Sequence, residues 1–424
     1  MQRVIKSVFR LYFFRENFVN HFENKKLRRI NDMKRNEQIV RVKNVLSHYD
    51  FKLVTLVMTL CGFGLLMIFS ASAYRAEYYY NDSKFYFDRQ GLFIIIGTIL
   101  MIITSLVDYH VYCRKIKFIH VRPVILLYLL CIGLHWYVFF AGYSAGGSSR
   151  WIQLGGGFNL QPSEISKLCF VIFGAFVVGR KKRWVNTGKT VKNILGMFLM
   201  FIMFAPIILP VAFQNLSSAV ILVGILAIML FCVSMDKKGF FISMLITAIG
   251  GVFMIYAKGY RSERLQNFFN PELMDSADQI MQGLYAIGFG GTFGRGFGNS
   301  VQKLGPMPEV HTDMIFTIIC EELGIIGGIC VIGLFLLLLW RIFMIALNAP
   351  DLYGSLIATG VFAQVAVQMI MNIAVVTNSI PATGVPLPFI SYGGSNLLVL
   401  MVEMGIVLNV SKQTYSSIPD EEGE

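Results

Sequence analysis

The apolar residues of this chain fall into long blocks that are separated by short polar gaps. A helix that crosses a bilayer needs about 20 mostly apolar residues, and most blocks approach that length. We therefore predict an all-α polytopic membrane protein with about ten transmembrane helices. The blocks cover approximately residues 51–72, 90–107, 122–141, 163–179, 193–212, 217–235, 239–257, 313–346, 354–377 and 388–411.

Basic residues concentrate in every second gap, and the gaps between these are close to neutral. Cytoplasmic loops of membrane proteins carry an excess of Lys and Arg, so this alternation predicts that both termini are cytoplasmic. The segments expected outside are 73–89, 142–162, 258–312 and 378–387. The largest of them, 258–312, connects the seventh and eighth predicted spans and is too long for a plain connector.

The chain divides into a basic cytoplasmic segment (1–49), a transmembrane domain (50–411) and a cytoplasmic tail (412–424). Residues 1–32 lack the apolar core of a signal peptide. Met33 opens a second basic start, MKRNEQ, so we expect 1–32 to be an extension ahead of the true start. The alternative is a basic arm lying on the cytoplasmic leaflet.

Composition agrees with a membrane protein, since 55% of the residues are hydrophobic and only 15% are charged. The net charge of +12 lies mostly in loops, so it reflects topology and predicts no nucleic-acid partner. The seven cysteines are scattered without a CxxC pair. The six histidines form no zinc motif.

The outer loop 258–312 contains two unusual stretches. The first, YRSERLQNFFNPE, resembles an interfacial segment with Arg261 and Arg264 directed at headgroups. The second, GFGGTFGRGFGNS, has the glycine density of a backbone that turns tightly or approaches a ligand. It resembles a phosphate-binding loop, but no strand precedes it and no GK[ST] follows, which argues against a nucleotide fold.

Asp313 lies where the outer loop meets the eighth predicted span. A carboxylate there either stabilises the helix N-terminus or serves as a catalytic base. From the residues alone, other acidic side chains of the loop compete for the catalytic role: Glu272, Asp275, Asp278 and Glu309.

Several further charges fall inside apolar blocks. Glu164 and Lys167 are three residues apart on one helix, a spacing that favours a structural ion pair over direct chemistry. We expect architectural roles for Glu321, Glu322 and Glu403 as well, with Glu322 facing the interior. The segment PATGVPLPFISYGGS predicts a non-helical start to the last span, where Ser391 and Tyr392 line a substrate path or pack.

Three stretches now read together: RWIQLGGGFNLQPSEISK (150–167), GNSVQKLGPMPEVHTDMIFTIICEELG (298–324) and IPATGVPLPFISYGGSN (380–396). In this order they resemble the signatures of the SEDS family of bacterial cell-wall polymerases, the FtsW/RodA/SpoVE group. The wording GNSVQKL is more similar to the division and sporulation branch than to the elongation branch. The resemblance extends from Asp50 to Val410.

The resemblance implies a peptidoglycan glycosyltransferase that joins lipid II to a growing glycan on the outer side of the membrane during cell division. The family's essential aspartate maps onto Asp313. Three positions depart from the family pattern. Asn215 replaces an aspartate, Asn378 replaces a glycine, and Met314 replaces an aromatic residue. The first departure argues against a catalytic acid at position 215.

The chemistry that the resemblance implies needs cations at the lipid diphosphate, and the candidates are Arg261, Arg264 and Lys303. Further substrate-binding candidates are Glu309, His311, Ser391 and Tyr392. A divalent ion, Mg²⁺ or Mn²⁺, held in part by Asp313, is a possible cofactor, and no organic cofactor is expected.

The expected partners are lipid II, a class B penicillin-binding protein transpeptidase and other membrane proteins of the divisome. The expected location is the bacterial cytoplasmic membrane at the septum. Two rival functions stay open. One is a transporter (flippase) of the lipid-linked precursor, which would concentrate its polar residues at the bilayer midplane. The other is a non-catalytic division scaffold.

Overall fold

The structure is a computed structural model built largely of α-helices. It describes residues 49–116, 120–141, 143–145, 148–153, 159–256, 268–269, 278–304 and 310–415. The helices are α1 (Phe51–Tyr80), α2 (Phe85–Leu106), α3 (Pro123–Ala141), α4 (Pro162–Arg180), α5 (Thr190–Gln214), α6 (Leu216–Val233), α7 (Lys237–Tyr256), α8 (Asp278–Gly290), α9 (Ile315–Asn348), α10 (Leu352–Val376) and α11 (Gly394–Tyr415). Short 3-10 helices occupy Tyr109–Cys113, Lys182–Trp184 and Gln302–Leu304.

Each predicted apolar block corresponds to one helix, and α8 is an additional helix of the outer loop. Among the described residues, nine helices are long and apolar enough to cross a membrane. The remaining predicted span is α7, whose last side chains lie outside the described residues. The all-α polytopic class is therefore confirmed. The expected extension 1–32 and Met33 lie outside the described residues.

Two predicted boundaries differ from the structure. The last block was expected to begin at residue 388, but α11 begins at Gly394 because the preceding PFISYG backbone is not helical. The tail was expected from residue 412, but α11 continues to Tyr415. Asn215, where the family pattern has an aspartate, separates α5 from α6. Its side chain accepts a hydrogen bond from Ser218 N at 3.4 Å and so caps α6.

A small antiparallel sheet lies in the outer segment that follows α3, where the sequence predicted only a loop. Its strands are β1 (Tyr143–Ala145), β2 (Ser148–Gln153) and β3 (Asn159–Leu160), in the order β1-β2-β3. The strands are too short to show a period of two in the sequence. The sheet connects α3 to α4 at the outer end of the bundle.

The helices divide into an interior set and a peripheral set. In the most apolar windows of α4, α10 and α11, 78%, 72% and 72% of the residues are buried, against 22% in both α2 and α3. Lipid tails solvate apolar side chains, so α2 and α3 are suited to the periphery. The three interior helices pack against one another and form the centre of the bundle.

A polar clasp centred on His110 joins three elements at the end of the bundle that the loop charges predict to be cytoplasmic. The His110 ring lies 2.8 Å from Asp108 Oδ1 through Nδ1 and 2.8 Å from Asp351 Oδ2 through Nε2. Tyr109 Oη donates to Asp351 Oδ2 at 2.6 Å, and Gln413 Nε2 donates to Asp108 Oδ1 at 2.9 Å. The clasp therefore joins the α2–α3 loop to the start of α10 and the end of α11.

The clasp shifts the pKa values of its ionisable groups in opposite directions. The hydrogen bond to Asp351 raises the pKa of His110, although burial opposes this, and the Asp108 bond adds to the rise. Burial alone would raise the pKa of Asp108, but hydrogen bonds from Gln413 and His110 lower it overall. Burial would also raise the pKa of Asp351, but hydrogen bonds from His110 and Tyr109 lower it overall. The folded protein therefore favours charged forms of all three groups.

We predict that the clasp stabilises the protein most between the ordinary pKa of a carboxyl group and the ordinary pKa of histidine, from about pH 4 to about pH 6.5. As the pH rises through the raised pKa, His110 loses its proton and its contribution disappears. As the pH falls through the lowered pKa values of Asp108 and Asp351, their contribution disappears. Because the groups are about one-third exposed, the effect stays below about 1 kcal/mol.

Unfolding temperatures measured across this range in detergent test the clasp, with His110→Gln as the comparison. The variant should lose the decline on the alkaline side. If wild type and variant show the same alkaline decline, His110 is not its source.

Candidate active site

Asp313 lies in the turn that leads into α9, and α10 holds this turn in place. Asn372 Nδ2 on α10 donates to the Asp313 carbonyl at 2.8 Å and to the Val385 carbonyl at 2.8 Å. The side-chain amide of Asn372 thus joins the HTD turn (His311–Asp313) to the PATGVP segment (Pro381–Pro386). The Asp313 side chain is partly buried, and a Cβ added at Gly384 would lie 3.5 Å from its Oδ2. The carboxylate therefore faces the backbone of that segment.

His311 packs into an aromatic cluster at the same end of the bundle. Its ring centroid lies 4.3 Å from that of Tyr86 and 5.4 Å from that of Tyr392. Tyr392 N donates to the His311 carbonyl at 2.9 Å, which joins the HTD turn to the start of α11. Asp313, His311 and Tyr392, three of the residues singled out in the sequence, therefore lie in one connected region.

The PFISYGG segment keeps its backbone polar groups satisfied without a helix. Ser391 Oγ accepts from Leu387 N at 2.8 Å, and Gln90 of α2 donates to the Ser391 carbonyl at 3.3 Å. Phe389 has a φ of 64°, in the left-handed region that non-glycine residues seldom adopt. Ser391 is buried and used in this turn, which favours packing over lining a substrate path.

Arg89, which the sequence analysis did not single out, lies beside this cluster. Its guanidinium carbon is 4.3 Å from the centroid of the Phe85 ring, and the side chain is exposed. Burial raises the pKa of Tyr392, and the charge and hydrogen bond of Arg89 act in the opposite direction. The available signal was an Arg-Gln pair at the start of a span, of which Arg89 is exposed and Gln90 is buried.

Lys303, a candidate for diphosphate binding, is committed elsewhere in the structure. It is buried, and its Nζ lies 3.1 Å from Glu322 Oε1, 3.3 Å from Ser70 Oγ and 2.6 Å from the Gly298 carbonyl. An ammonium group has three donors, and three acceptors surround this one. The geometry favours a structural role for Lys303 over the diphosphate role expected from the sequence.

The glycine-rich loop packs against a break in α9. Gly324 has a φ of 71°, so the α9 backbone leaves helical geometry there. The carbonyls of Glu321 and Glu322 accept hydrogen bonds from Arg295 N and Gly296 N, each at 3.0 Å. These amides bond within the protein, so the loop acts as structural backbone here.

The two glutamates of EELG anchor the residues that follow the glycine-rich loop. Glu321 accepts from Ser300 Oγ at 2.5 Å and from Val301 N at 2.9 Å. Glu322 accepts from Ser70 Oγ of α1 at 2.6 Å. Both are fully buried and bound, which accords with the architectural roles expected for them.

The charges near the outer start of α4 are also brought together. Lys167 Nζ lies 2.7 Å from Glu164 Oε2, and both side chains are buried. Glu403 of α11 is fully buried, and its carboxyl group interacts electrostatically with both Lys167 and Glu164. These groups belong to the interior where α4, α10 and α11 meet, separate from the outer aromatic cluster.

Comparison with known proteins now gives the family. The model for cell cycle proteins of the FtsW, RodA and SpoVE group matches residues 51–416. The chain belongs to the FtsW/RodA/SpoVE family.

Two relatives within this family illustrate the similarity. The chain is 39% identical over 367 residues to stage V sporulation protein E of Bacillus subtilis, covering 86% of this chain and 97% of that protein. It is 34% identical over 379 residues to the probable peptidoglycan glycosyltransferase FtsW of Trichlorobacter lovleyi, covering 88% and 96%.

Solved structures of low identity share the fold. A peptidoglycan synthase complex, described as coordinating polymerisation and crosslinking, contains a chain with a TM-score of 0.70 at 23% identity. The rod shape determining protein RodA of Thermus thermophilus gives a TM-score of 0.62 at 22% identity. In both cases the match covers 87% of this chain and 98% of the other. These likenesses support the FtsW/RodA/SpoVE fold.

Several predicted site residues of this FtsW/RodA/SpoVE chain lie outside the described residues. They are Arg261, Arg264 and Glu309, together with the competing acids Glu272 and Asp275. Asp278 begins α8, but its side chain is likewise not described. Their roles stay predictions.

The described residues supply few ligands for a metal ion near Asp313. No group of three or more His, Cys, Asp or Glu side chains lies close together within this part of the chain. Mg²⁺ is commonly held by one or two carboxylates plus waters and substrate phosphates, and one carboxylate fits that mode. The described residues near Asp313 do not form a site in which protein side chains alone would coordinate the ion.

We predict that Lys303→Met destabilises the protein by about 3–5 kcal/mol, because it leaves the buried Glu322 carboxylate without its counter-charge. Unfolding measured in detergent should show the loss, and Glu322→Gln in the same chain should recover part of it. A direct diphosphate role predicts the opposite pattern. In that case Lys303→Met would slow turnover while leaving the unfolding temperature unchanged.

Proposed function

We propose that this chain polymerises lipid II into glycan strands on the outer side of the cytoplasmic membrane, with Asp313 as the catalytic carboxylate. It is a peptidoglycan glycosyltransferase, as relatives in its family are named. The single observation that carries the role of Asp313 is its placement. Asn372 holds the backbone of Asp313 through its carbonyl, and the carboxylate lies beside Gly384, in the turn before α9.

The chemistry requires a group that accepts a proton. A sugar hydroxyl attacks the anomeric carbon of the donor, the bond to the lipid diphosphate breaks, and the hydroxyl proton must leave. A carboxylate within hydrogen-bond reach accepts that proton. The donor linkage is α and the product linkage is β, so one displacement with inversion suffices and no covalent nucleophile is needed.

The departing diphosphate needs positive charge, and Arg89 is the described cation that best suits it. The guanidinium is exposed and stands beside Phe85 and Tyr392, next to the HTD turn. Its planar fork matches phosphate oxygens. Arg261 and Arg264 remain candidates of the outer loop. A divalent ion, if used, would be held by Asp313 together with substrate oxygens, and it would help to neutralise the diphosphate.

The partner that we propose is a class B penicillin-binding protein transpeptidase. One structural neighbour belongs to a synthase complex that coordinates polymerisation and crosslinking, which supports this pairing. A role in division at the septum is favoured by the FtsW relatives, whereas the stage V sporulation relative favours spore formation. We propose division because relatives of the FtsW type recur among the matches.

We predict that Asp313→Asn lowers polymerisation by about 10²–10⁴-fold, since the amide keeps the shape but cannot accept the proton. Asp313→Ala should lose as much. The measurement is glycan formation from labelled lipid II by the purified protein with its partner. Asp88→Asn, an exposed acid on α2, is the control. Near-normal polymerisation by Asp313→Asn would remove Asp313 from the catalytic role.

We predict that Arg89→Ala lowers kcat/KM for lipid II by about ten- to hundredfold, because a charge-assisted bond to the diphosphate is lost. Arg89→Lys should recover only part, since an ammonium lacks the bidentate fork. Lys84→Ala removes an exposed cation one turn away and should leave the rate unchanged. Equal effects of Lys84→Ala and Arg89→Ala would indicate a general surface-charge effect instead.

A further inference from the structure

α1 is longer than a membrane crossing requires, and its outer end is aromatic. Thirty residues of α-helix extend about 45 Å, whereas the hydrocarbon core is about 30 Å thick. The apolar block ends near residue 72, so the last turns project beyond the hydrocarbon on the outer side. They end in three consecutive tyrosines, which are 75%, 71% and 49% exposed: Tyr78, Tyr79 and Tyr80.

These rings continue into the cluster beside Asp313. Tyr80 stacks on Phe85 with centroids 3.8 Å apart and planes 8° from parallel. Phe85 lies 5.2 Å from Tyr86, and Tyr86 lies 4.3 Å from His311, two residues before Asp313. Exposure decreases in this direction, from the exposed Tyr80 to the buried His311. The rings therefore form an aromatic strip from solvent to His311, in the turn that carries the proposed catalytic carboxylate.

Such a strip suits a saccharide chain. A pyranose ring has an apolar face of C–H groups that packs on an aromatic ring, and its hydroxyls stay in water or bond to a tyrosine hydroxyl. Aromatic side chains offer large rigid contact area at low entropic cost. A polymerase that adds many sugars to one strand needs a surface that retains the strand between additions.

We infer that the aromatic strip Tyr80–Phe85–Tyr86 is a binding subsite for the glycan strand next to the reacting sugar. The inference rests on the proposed function, because it takes Asp313 as the reacting centre. Contact on this strip would lengthen the time that a strand stays bound, and so the number of additions per binding event. The strip therefore governs glycan length more than the rate of a single addition.

The competing explanation is an aromatic belt that anchors helix ends at the membrane interface. A belt requires only exposed rings at the right depth, and α3 has such rings at its outer end, Tyr137 and Phe140, which are 58% and 77% exposed. α3 packs against α4 and α5, away from the strip. Parallel stacking and continuity with His311 distinguish the strip from that pattern, and α3 supplies matched controls.

The experiment measures two quantities on the same reaction, the rate of lipid II consumption and the length distribution of the glycan product. Full-length protein is assayed with labelled lipid II, with and without the transpeptidase partner. For Tyr80→Ala and for Phe85→Ala we expect the mean glycan length to fall by about two- to tenfold. The consumption rate should fall less with Tyr80→Ala, whereas Phe85→Ala also removes the ring under Arg89 and should slow consumption as Arg89→Ala does. Tyr80→Phe keeps the ring and should keep the length. Tyr137→Ala and Phe140→Ala should change neither quantity.

Each other outcome overturns the inference in a recognisable way. Unchanged lengths with Tyr80→Ala and Phe85→Ala mean that the strip does not hold the strand. If Tyr137→Ala and Phe140→Ala shorten the glycan equally, the rings anchor helix ends at the membrane interface. If the glycan shortens only when the transpeptidase is present, the strip contacts that partner protein. Tyr80→Ala could also unfold at a lower temperature than wild type while Tyr80→Phe does not. If the mean glycan length then falls in proportion to the fraction of folded protein, Tyr80 has a structural role. If wild-type protein makes no glycan, the proposed function itself fails.

Discussion

The constraint on which this structure depends is that backbone polar groups at membrane depth must bond inside the protein. The chain meets it at two places where the backbone leaves helical geometry. At Gly324, α9 breaks, and the carbonyls of Glu321 and Glu322 accept from amides of the glycine-rich loop. Before α11, Ser391 Oγ and Gln90 satisfy the PFISYGG backbone. The turn that carries Asp313 is tied to the second of these segments, because Tyr392 N donates to the His311 carbonyl and Asn372 bonds to both the Asp313 and the Val385 carbonyls.

Charges in the interior obey a related rule, since a buried charge is tolerated when it is paired. Lys303 pairs with Glu322, Lys167 pairs with Glu164, and Arg341 Nε lies 2.6 Å from Asp50 Oδ2. Asp50 also caps α1 through Leu53 N. Two of these pairs, Lys303 with Glu322 and Arg341 with Asp50, join different elements of the fold, whereas Glu164 and Lys167 lie within α4. Removing one partner leaves the other charge buried and unpaired in a low dielectric, which strongly destabilises the fold whether or not the residue touches substrate.

The sequence predicted the fold to good accuracy because helix-length apolar blocks are a strong signal. It located the HTD turn and the interior carboxylates, and it paired Glu164 with Lys167. It did not distinguish a paired cation from a free one. Lys303 looked like a phosphate ligand because its partner Glu322 is 19 residues away, beyond any local spacing rule. Arg89 was missed because a cation beside a span is also what membrane topology produces, so its position gave no reason to expect a binding role.

The division between interior and outer end bears on the choice between enzyme and transporter. A transporter needs its polar groups at the midplane and a path that opens to both sides. Here two of the interior charges, Glu164 and Lys167, are held in a 2.7 Å ion pair on α4, which packs against α10 and α11. Asp313, Arg89 and the aromatic strip instead meet at the outer end, where the helices stop and the backbone is irregular. A reaction between a lipid-anchored donor and a glycan must place its reacting atoms where lipid and water meet, and this end of the bundle satisfies that requirement.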